Sequence, residues 1–401
     1  MTRIGLAGLL ACIALAGLWA CQPIWPPATP TPPAPPTSPG QPTVTPAPAD
    51  FLYLGAYGVA PAALPRAAAA GVRVVAMPPA ELQATLAYMD AAHALGLRVR
   101  VSLSPSFLNA KEEDIAAYLG PLASHPALQL WYLPEEPKSA SDHGRWKRLY
   151  ELVKKHDAGR HPIGVYLAEG ATEEYFAGWT DICDLIFAGA YPEYYRIPRA
   201  ALYTRVHNAG LAAQRAGKGV IAVPQFFDAE AFQDGDTAGT YAGHPDATAV
   251  RADAYTALIA GASGIDWYSL EYALPYPDML AAWEGAIAEL RTLEPALLHP
   301  LAEAPFAWRI TRGPQSVPSF GRVREPALAA RAYEDEAARY LLAVNLADEE
   351  LEAVFQGVPA SQTRLTVVFE EREIELRDGS WSDVFAPHQV HVYRILQEQK
   401  P

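Results

Sequence analysis

Short apolar runs rich in β-branched and aromatic residues recur along the middle of the chain. They begin near Phe51 (FLYLGAYGV), Val72 (VRVVAMP), Arg98 (RVRVSLS), Leu128 (LQLWYLP), Pro162 (PIGVYL), Asp184 (DLIFAGAYP), Gly219 (GVIAVPQFF) and Gly264 (GIDWYSLEY). Runs of this length, bounded by turn residues, predict strands. Between them lie Ala-rich segments of helical period with clear punctuation. One opens at Pro79-Ala80-Glu81 and closes at Gly96, another opens at Ser141-Asp142, a third runs from Pro198-Arg199 to Gly217, and a fourth opens at Pro277-Asp278. The strand starts recur at roughly thirty residues, the size of a βαβ unit. Eight such units predict an α/β protein, a closed (β/α)8 TIM barrel over residues 50–300; a doubly wound open sheet would normally have fewer strands.

After Leu301 the period changes to two. FAWRITR, ALAARAYED, RYLLAVNLA, LEAVFQGV, TRLTVVFEER, EIELRDG and FAPHQVHVYRI alternate apolar with polar residues and are separated by turns such as Asp378-Gly379. That pattern predicts a small antiparallel β-sandwich over 301–397. Its aromatics, Trp308, Tyr333, Tyr340, Trp381 and Tyr393, are spread along the strands rather than gathered in one loop. No spacer separates it from the barrel, so it is expected to be a cap on the barrel that does not touch ligand.

The first fifty residues have a different character. Arg3 is the only charge before Asp50, and Ile4 to Ala20 is unbroken and apolar, ending Leu18-Trp19-Ala20-Cys21. A positive start, an apolar stretch and small residues before a Cys describe an export signal over 1–21. Its end resembles a lipoprotein acylation box, with Cys21 as the lipidated residue. An uncleaved signal anchor is the alternative, since the run could just span a bilayer. Residues 22–49 contain twelve prolines and no charge, and so predict a semi-extended linker. The expected location is the cell envelope, with membrane contact only through the anchor. Cys183 is the one cysteine beyond the leader region and reads as a buried structural thiol.

Charge narrows the partners. The formal net charge is −14 and no basic cluster occurs, which argues against nucleic acid and anionic membrane surfaces and fits a neutral or cationic substrate. There is no HExxH, paired-Cys or His-x-His pattern, no GxGxxG, no P-loop and no GxSxG elbow, so neither metal nor cofactor is expected.

In such barrels the chemistry rides on the C-terminal strand ends. The first strand ends near Tyr57. Strand four ends Trp131-Tyr132-Leu133-Pro134-Glu135-Glu136-Pro137, placing two adjacent carboxylates between prolines. Strand six ends Tyr191-Pro192-Glu193-Tyr194-Tyr195, strand seven Pro224-Gln225-Phe226-Phe227-Asp228, and strand eight Trp267-Tyr268-Ser269-Leu270-Glu271-Tyr272. Carboxylates and an amide interleaved with aromatics suit glycosidic cleavage: one acid protonates the leaving oxygen, a second acts as nucleophile or base, and aromatic faces carry sugar rings. Glu135, Glu136, Glu193 and Glu271 are the candidate catalytic groups. Tyr57, Tyr132, Tyr191, Tyr194, Gln225, Phe227, Asp228, Trp267 and Tyr268 are the candidate substrate contacts. Alternation puts Glu271 with Trp267 and Ser269, opposite Asp266 and Tyr268, and does not say which set lines the barrel.

WYLPEEP resembles the strand-four end of (β/α)8 glycoside hydrolases, in which an acidic residue before Pro is the general acid. By this resemblance Glu136 takes that role and Glu135 is its neighbour. Leu149-Tyr150 through Lys155-His156-Asp157 to Arg160-His161-Pro162 is similar to the run that follows in such enzymes. Pro192, Gln225 and Gly261-Ala262-Ser263-Gly264-Ile265 resemble the strand six, seven and eight motifs of a bacterial glycoside-hydrolase-like lipoprotein group. APHQVHVYRI resembles the last strand of the sandwich appended to these barrels. The resemblance spans residues 51 to about 396 and implies a carbohydrate ligand. It also exposes a departure: where the large clan carries a nucleophilic Glu at the end of strand seven, this chain has Gln225, with Asp228 beyond it. The second carboxylate is then expected from Glu193, Asp228 or Glu271, and a non-catalytic glycan-binding barrel is the alternative.

Overall fold

The computed structural model describes residues 51–228 and 243–397. The expected leader, linker and Cys21 lie outside the described residues.

Eight parallel strands close into a barrel in sequence order. They are β1 (Tyr53–Ala56), β2 (Val74–Val75), β3 (Arg98–Ser102), β4 (Leu128–Tyr132), β5 (Ile163–Tyr166), β6 (Leu185–Ala188), β7 (Gly219–Ala222) and β8 (Gly264–Trp267), with β8 pairing back onto β1. The helices are α1 (Leu64–Ala70), α2 (Leu82–Ala94), α3 (Glu112–Leu122), α4 (His143–Asp157), α5 (Glu173–Ala177), α6 (Pro192–Tyr195), α7 (Ala200–Arg215), α8 (Ala247–Ala260), α9 (Leu270–Ala273) and α10 (Pro277–Leu297). The sequence punctuation holds: Pro stands at the start of α10, and Gly96 and Gly217, just past the ends of α2 and α7, lie in the left-handed region. The short α6 and α9 sit directly after β6 and β8, at the rim where the candidate residues cluster.

Each barrel strand divides its side chains between two environments. Outward residues such as Leu54, Val101, Trp131, Ile265 and Trp267 join a large core with the helices. Inward residues, among them Tyr53, Tyr57, Leu130, Tyr132, Tyr166, Phe187 and Ile221, form a second cluster inside the barrel. The β8 ambiguity resolves here. Asp266 and Tyr268 point inward, while Trp267 points outward, edge-on to Trp283 of α10 at 6.3 Å. The interior is crowded enough to dictate a glycine: a Cβ on Gly55 would lie 2.5 Å from the Tyr53 ring and 2.6 Å from Asp266 Oδ1.

The C-terminal region forms a five-stranded antiparallel sheet facing a three-stranded one, with a two-stranded ribbon beside them. Phe355, Trp381 and Phe385 of the smaller sheet meet Tyr393 and His391 of the larger across the sandwich core. The strand Ser380–Phe385, which carries Trp381, is an addition to the predicted set. The sandwich packs directly on the helices outside the barrel. Tyr333 donates to Leu258 O of α8 at 2.8 Å, Arg251 to Val390 O at 2.9 Å, and Thr204 of α7 to the buried Glu325 carboxylate at 2.7 Å. A single apolar cluster runs through both regions.

Candidate functional site

The loop after β4 is held from three sides. Trp146 of α4 donates its indole N–H to Pro134 O at 2.8 Å, Glu136 N donates to Tyr166 O at 3.0 Å, and Pro137 is buried. Glu136 itself sits at φ 56°, in the left-handed region. A residue with a Cβ gives up about 1–3 kcal/mol to stay there, a cost tolerated mainly where surrounding structure and function require it.

This loop forms one wall of a cavity of about 180 Å³ at the C-terminal end of the barrel. Tyr57 of the β1 end, Glu135, Glu136, Tyr166 of the β5 end, Tyr191, Tyr194 and Tyr195 around α6, Phe227 after β7 and Tyr268 after β8 line it. The rings are mutually ordered. Tyr268 and Tyr191 stack at 5.8 Å, Tyr191 and Tyr195 lie parallel at 6.2 Å, and Phe227 stands edge-on to both Tyr191 and Tyr268. Several hydroxyls satisfy one another: Tyr57 bonds Tyr132, and Tyr166 bonds Tyr191. Tyr195, at the outer end of this stack, is 56% exposed.

Electrostatics separate Glu136 from an ordinary surface acid. Burial pushes the Glu136 carboxyl above its usual range, and the charges of Glu135 and Glu169 push it further, against the pull of Lys138 and Arg205. The Glu135 charge faces the cavity, where, behind the larger effect of burial, it helps raise the hydroxyls of Tyr57, Tyr132, Tyr166, Tyr191 and Tyr268.

Below the cavity floor lies a buried ion pair. The Arg100 guanidinium, 1% exposed, is wedged between the rings of Tyr57 and Tyr132 at 3.7 and 3.9 Å, and its Nε lies 3.3 Å from Asp266 Oδ2. Tyr53 donates to the same carboxylate oxygen at 3.2 Å. Burial raises Asp266 to about 6 against the pull of Arg100 and Tyr53. For Arg100 burial works the other way, and Tyr57, Asp266 and Tyr132 hold its pKa above the ordinary value. Desolvated cation–ring contacts of this kind are worth about 2 kcal/mol or more.

The remaining candidates fall outside the cavity wall. Glu193 is paired with Arg199, which also binds the buried Asp253 at 2.7 Å; its carboxylate braces the start of α7. Gln225 is 1% exposed and uses both ends of its amide on backbone, accepting from Tyr194 N at 3.2 Å and donating to Phe227 O at 3.1 Å. It shapes the wall through its neighbours. Asp228 binds His244 Nδ1 at 3.0 Å. Tyr132 lies one layer down, and Trp267 faces the helices, a correction to its placement as a substrate contact because β8 turns Asp266 inward. Glu271 stands on α9 over Gly58 of the β1 loop, where a Cβ would lie 3.0 Å from its carboxyl carbon, and burial raises its pKa. In the closed order β8 is four strands from β4, so Glu271 and the Glu135–Glu136 pair rise on opposite sides of the mouth. Tyr268 feels the charge of both Glu135 and Glu271.

Tyr166, Tyr195, Arg100 and Asp266 are the participants that sequence reasoning passed over. Tyr166 ends β5, and extending the strand-end reading to β5 would find it. Arg100 alternates with valines in RVRVS, a pattern indistinguishable from a half-exposed strand. Among the described residues no group of three His, Cys, Asp or Glu is placed to hold a metal ion, and no described helix is long and apolar enough to cross a membrane.

A closed (β/α)8 barrel, an appended sandwich and an aromatic, acidic cavity at the C-terminal mouth define a protein with the fold of glycoside hydrolases. No family model and no curated protein sequence matches the chain. Solved structures do. A glycoside hydrolase family 5 protein from Bacteroides vulgatus superposes with a TM-score of 0.56 at 14% identity, over 87% of this chain and 90% of that one. A second glycoside hydrolase gives 0.55 at 14% identity, over 88% and 94%. An α-amylase from Anoxybacillus gives 0.53 at 10%, over 85% and 90%. At these identities the likeness is one of fold.

Proposed function

We propose that the chain binds a carbohydrate in the mouth cavity and hydrolyses a glycosidic bond there, with Glu136 as the general acid. The observation that carries this reading is a carboxyl of raised pKa, held in an unusual backbone conformation, on the wall of a tyrosine-lined cavity at the C-terminal end of the barrel. A general acid must keep its proton close to the working pH, and partial burial beside a second carboxylate does that. Glu135, facing the rings, would hold a sugar hydroxyl. Among the described residues Glu271 is the group available across the mouth to activate water, and its burial-raised pKa suits a base.

A second reading, glycan binding without cleavage, is favoured by Gln225, whose amide stands where a nucleophilic carboxylate would be expected and is fully engaged with backbone. A glycan library screened for both binding and reducing-end release separates the two. Release that Glu136→Gln lowers by about two to four orders of magnitude, with binding retained, supports hydrolysis. Unchanged turnover in that variant overturns it, and binding without release by the native chain favours the second reading.

The cell-envelope location rests on the leader and linker sequences: an export signal, acylation at Cys21, and a Pro-rich spacer that would hold the barrel some tens of ångströms from a bilayer at about 3 Å per residue. Cys21→Ala should shift the protein from the membrane fraction to the soluble exported fraction; an unchanged distribution would argue for the signal anchor.

A further inference from the structure

We infer that the mouth cavity selects a cationic sugar, a hexosamine unit carrying a free ammonium, over neutral and acidic sugars. This rests on the carbohydrate reading of the same site and goes beyond it by fixing the charge of the ligand.

Among the described residues the cavity wall consists of six tyrosines, one phenylalanine and two glutamates, with no Lys, Arg or His. Ring faces carry negative electrostatic potential and, grouped around a concavity, attract a desolvated cation. Glu135 and Glu136 add charge of the same sign. Of the cations nearby, two are engaged elsewhere and the third lies off the cavity wall. Arg100 lies under the floor, clasped by Tyr57 and Tyr132 and paired with Asp266. Arg205 is buried and donates Nη2 to Leu167 O at 2.6 Å. Lys138 is exposed on the loop beyond Pro137. Glu136 is thus faced by Glu135 and Glu169 on one side of the balance and by Lys138 and Arg205 on the other.

Hydroxyl chemistry points the same way. A neutral sugar is usually fixed by a set of donors and acceptors of both kinds. Here the wall hydroxyls of Tyr57, Tyr166 and Tyr191 are already bonded, Tyr57 to Tyr132 beneath the wall and Tyr166 to Tyr191, which leaves less of their capacity for a neutral sugar. A carboxylated sugar would meet two glutamates, with no cation among the described residues of the wall itself. An ammonium meets carboxylates within a ring cage.

The experiment compares three tetrasaccharides by titration calorimetry on the full chain: β-1,4-linked glucosamine with free amines, its fully N-acetylated form, and the neutral glucose tetramer. The free-amine tetramer should bind about tenfold more tightly than the other two at low salt. The margin should shrink as salt is raised, and Glu135→Gln should remove most of it. Glu136→Gln serves as the second variant should Glu135→Gln fail to fold, which its melting temperature would reveal. Equal or tighter binding of a neutral or acetylated tetramer overturns the ammonium assignment and leaves the carbohydrate reading standing. Binding of none of the three overturns the ammonium assignment, and the glycan library then decides the carbohydrate reading. An amine preference that survives both substitutions, or that tetralysine competes away at equal concentration, shows attraction to the acidic surface as a whole and overturns the assignment.

Discussion

Asp184 and Glu136 are carboxylic acids at opposite ends of one barrel, and their surroundings move them in opposite directions. Asp184 precedes β6 at the N-terminal end. Burial alone would raise its pKa, but Lys218 and Tyr150 donate to it at 3.1 and 2.9 Å, Lys154 adds a third contact at 3.4 Å, and the net result is a carboxyl held below its ordinary range. Ile163 N binds its other oxygen at 3.1 Å, so one side chain ties β5, β6, α4 and the start of β7 together. The same economy recurs at that end in Glu294, which accepts from Leu52 N at 3.0 Å and from Arg73 at 2.5 Å. At the C-terminal end Glu136 lies beside Glu135, with burial and like charge acting together to raise it. One end of the barrel uses carboxylates as clamps. The other holds Glu136 raised on the wall of a cavity, a state that costs stability at neutral pH, in line with barrels whose two rims divide stability from the site.

The largest effect that would sharpen this contrast is on turnover. Glu136→Gln should abolish glycoside hydrolysis by about two to four orders of magnitude while the melting curve stays cooperative. Initial rates on whichever glycan the library identifies would check this, and a loss of cooperative melting would assign Glu136 to the fold instead.

Arg100→Met tests the exception, a buried charge on the mouth side of the barrel. It leaves Asp266 enclosed without its cation, and breaking such a pair costs about 3–5 kcal/mol. Denaturant unfolding should register that loss. The double variant Arg100→Met with Asp266→Asn should recover part of it, because no uncompensated charge is then left inside.

Asp184→Asn should cost about 1–3 kcal/mol through lost charge-assisted hydrogen bonds, without changing glycan affinity. Because the folded pKa of Asp184 lies below its unfolded value, its contribution is fully present above about pH 4 and is lost as pH falls through the lowered folded value. The melting-temperature gap between native and Asp184→Asn chains should therefore be widest near neutrality and close in acid. A gap independent of pH would remove the clamp from the account.

The smallest effect has the opposite sign. The folded pKa of Glu136 lies above its unfolded value, so any stability it lends is present below the unfolded pKa and is lost as pH rises through the raised folded pKa. Glu136→Gln should accordingly melt slightly above the native chain at neutral pH and converge with it near pH 4, about the unfolded value. A destabilised Gln variant at neutral pH would break the comparison between the two rims.

Local pattern carried the architecture. Strand period, Gly and Pro punctuation and the thirty-residue repeat specify eight strands with intervening helices, and the change to period two after Leu301 marks the sandwich, because each of these is a short-range property of the chain. WYLPEEP likewise announces its carboxylate pair, since a strand end followed by Pro-Glu-Glu-Pro has few other places to go. Tertiary structure decided the rest. Which face of β8 turns inward depends on Asp266 finding Arg100 on β3 and Tyr53 on β1, partners 166 and 213 positions away in the sequence. A buried carboxylate is tolerable only with such partners, and no local window contains them. Gln225 and Glu193 look identical in sequence whether they face a ligand or brace the backbone. Their roles were settled by Tyr194 N, Phe227 O and Arg199, groups whose positions only the closed barrel defines.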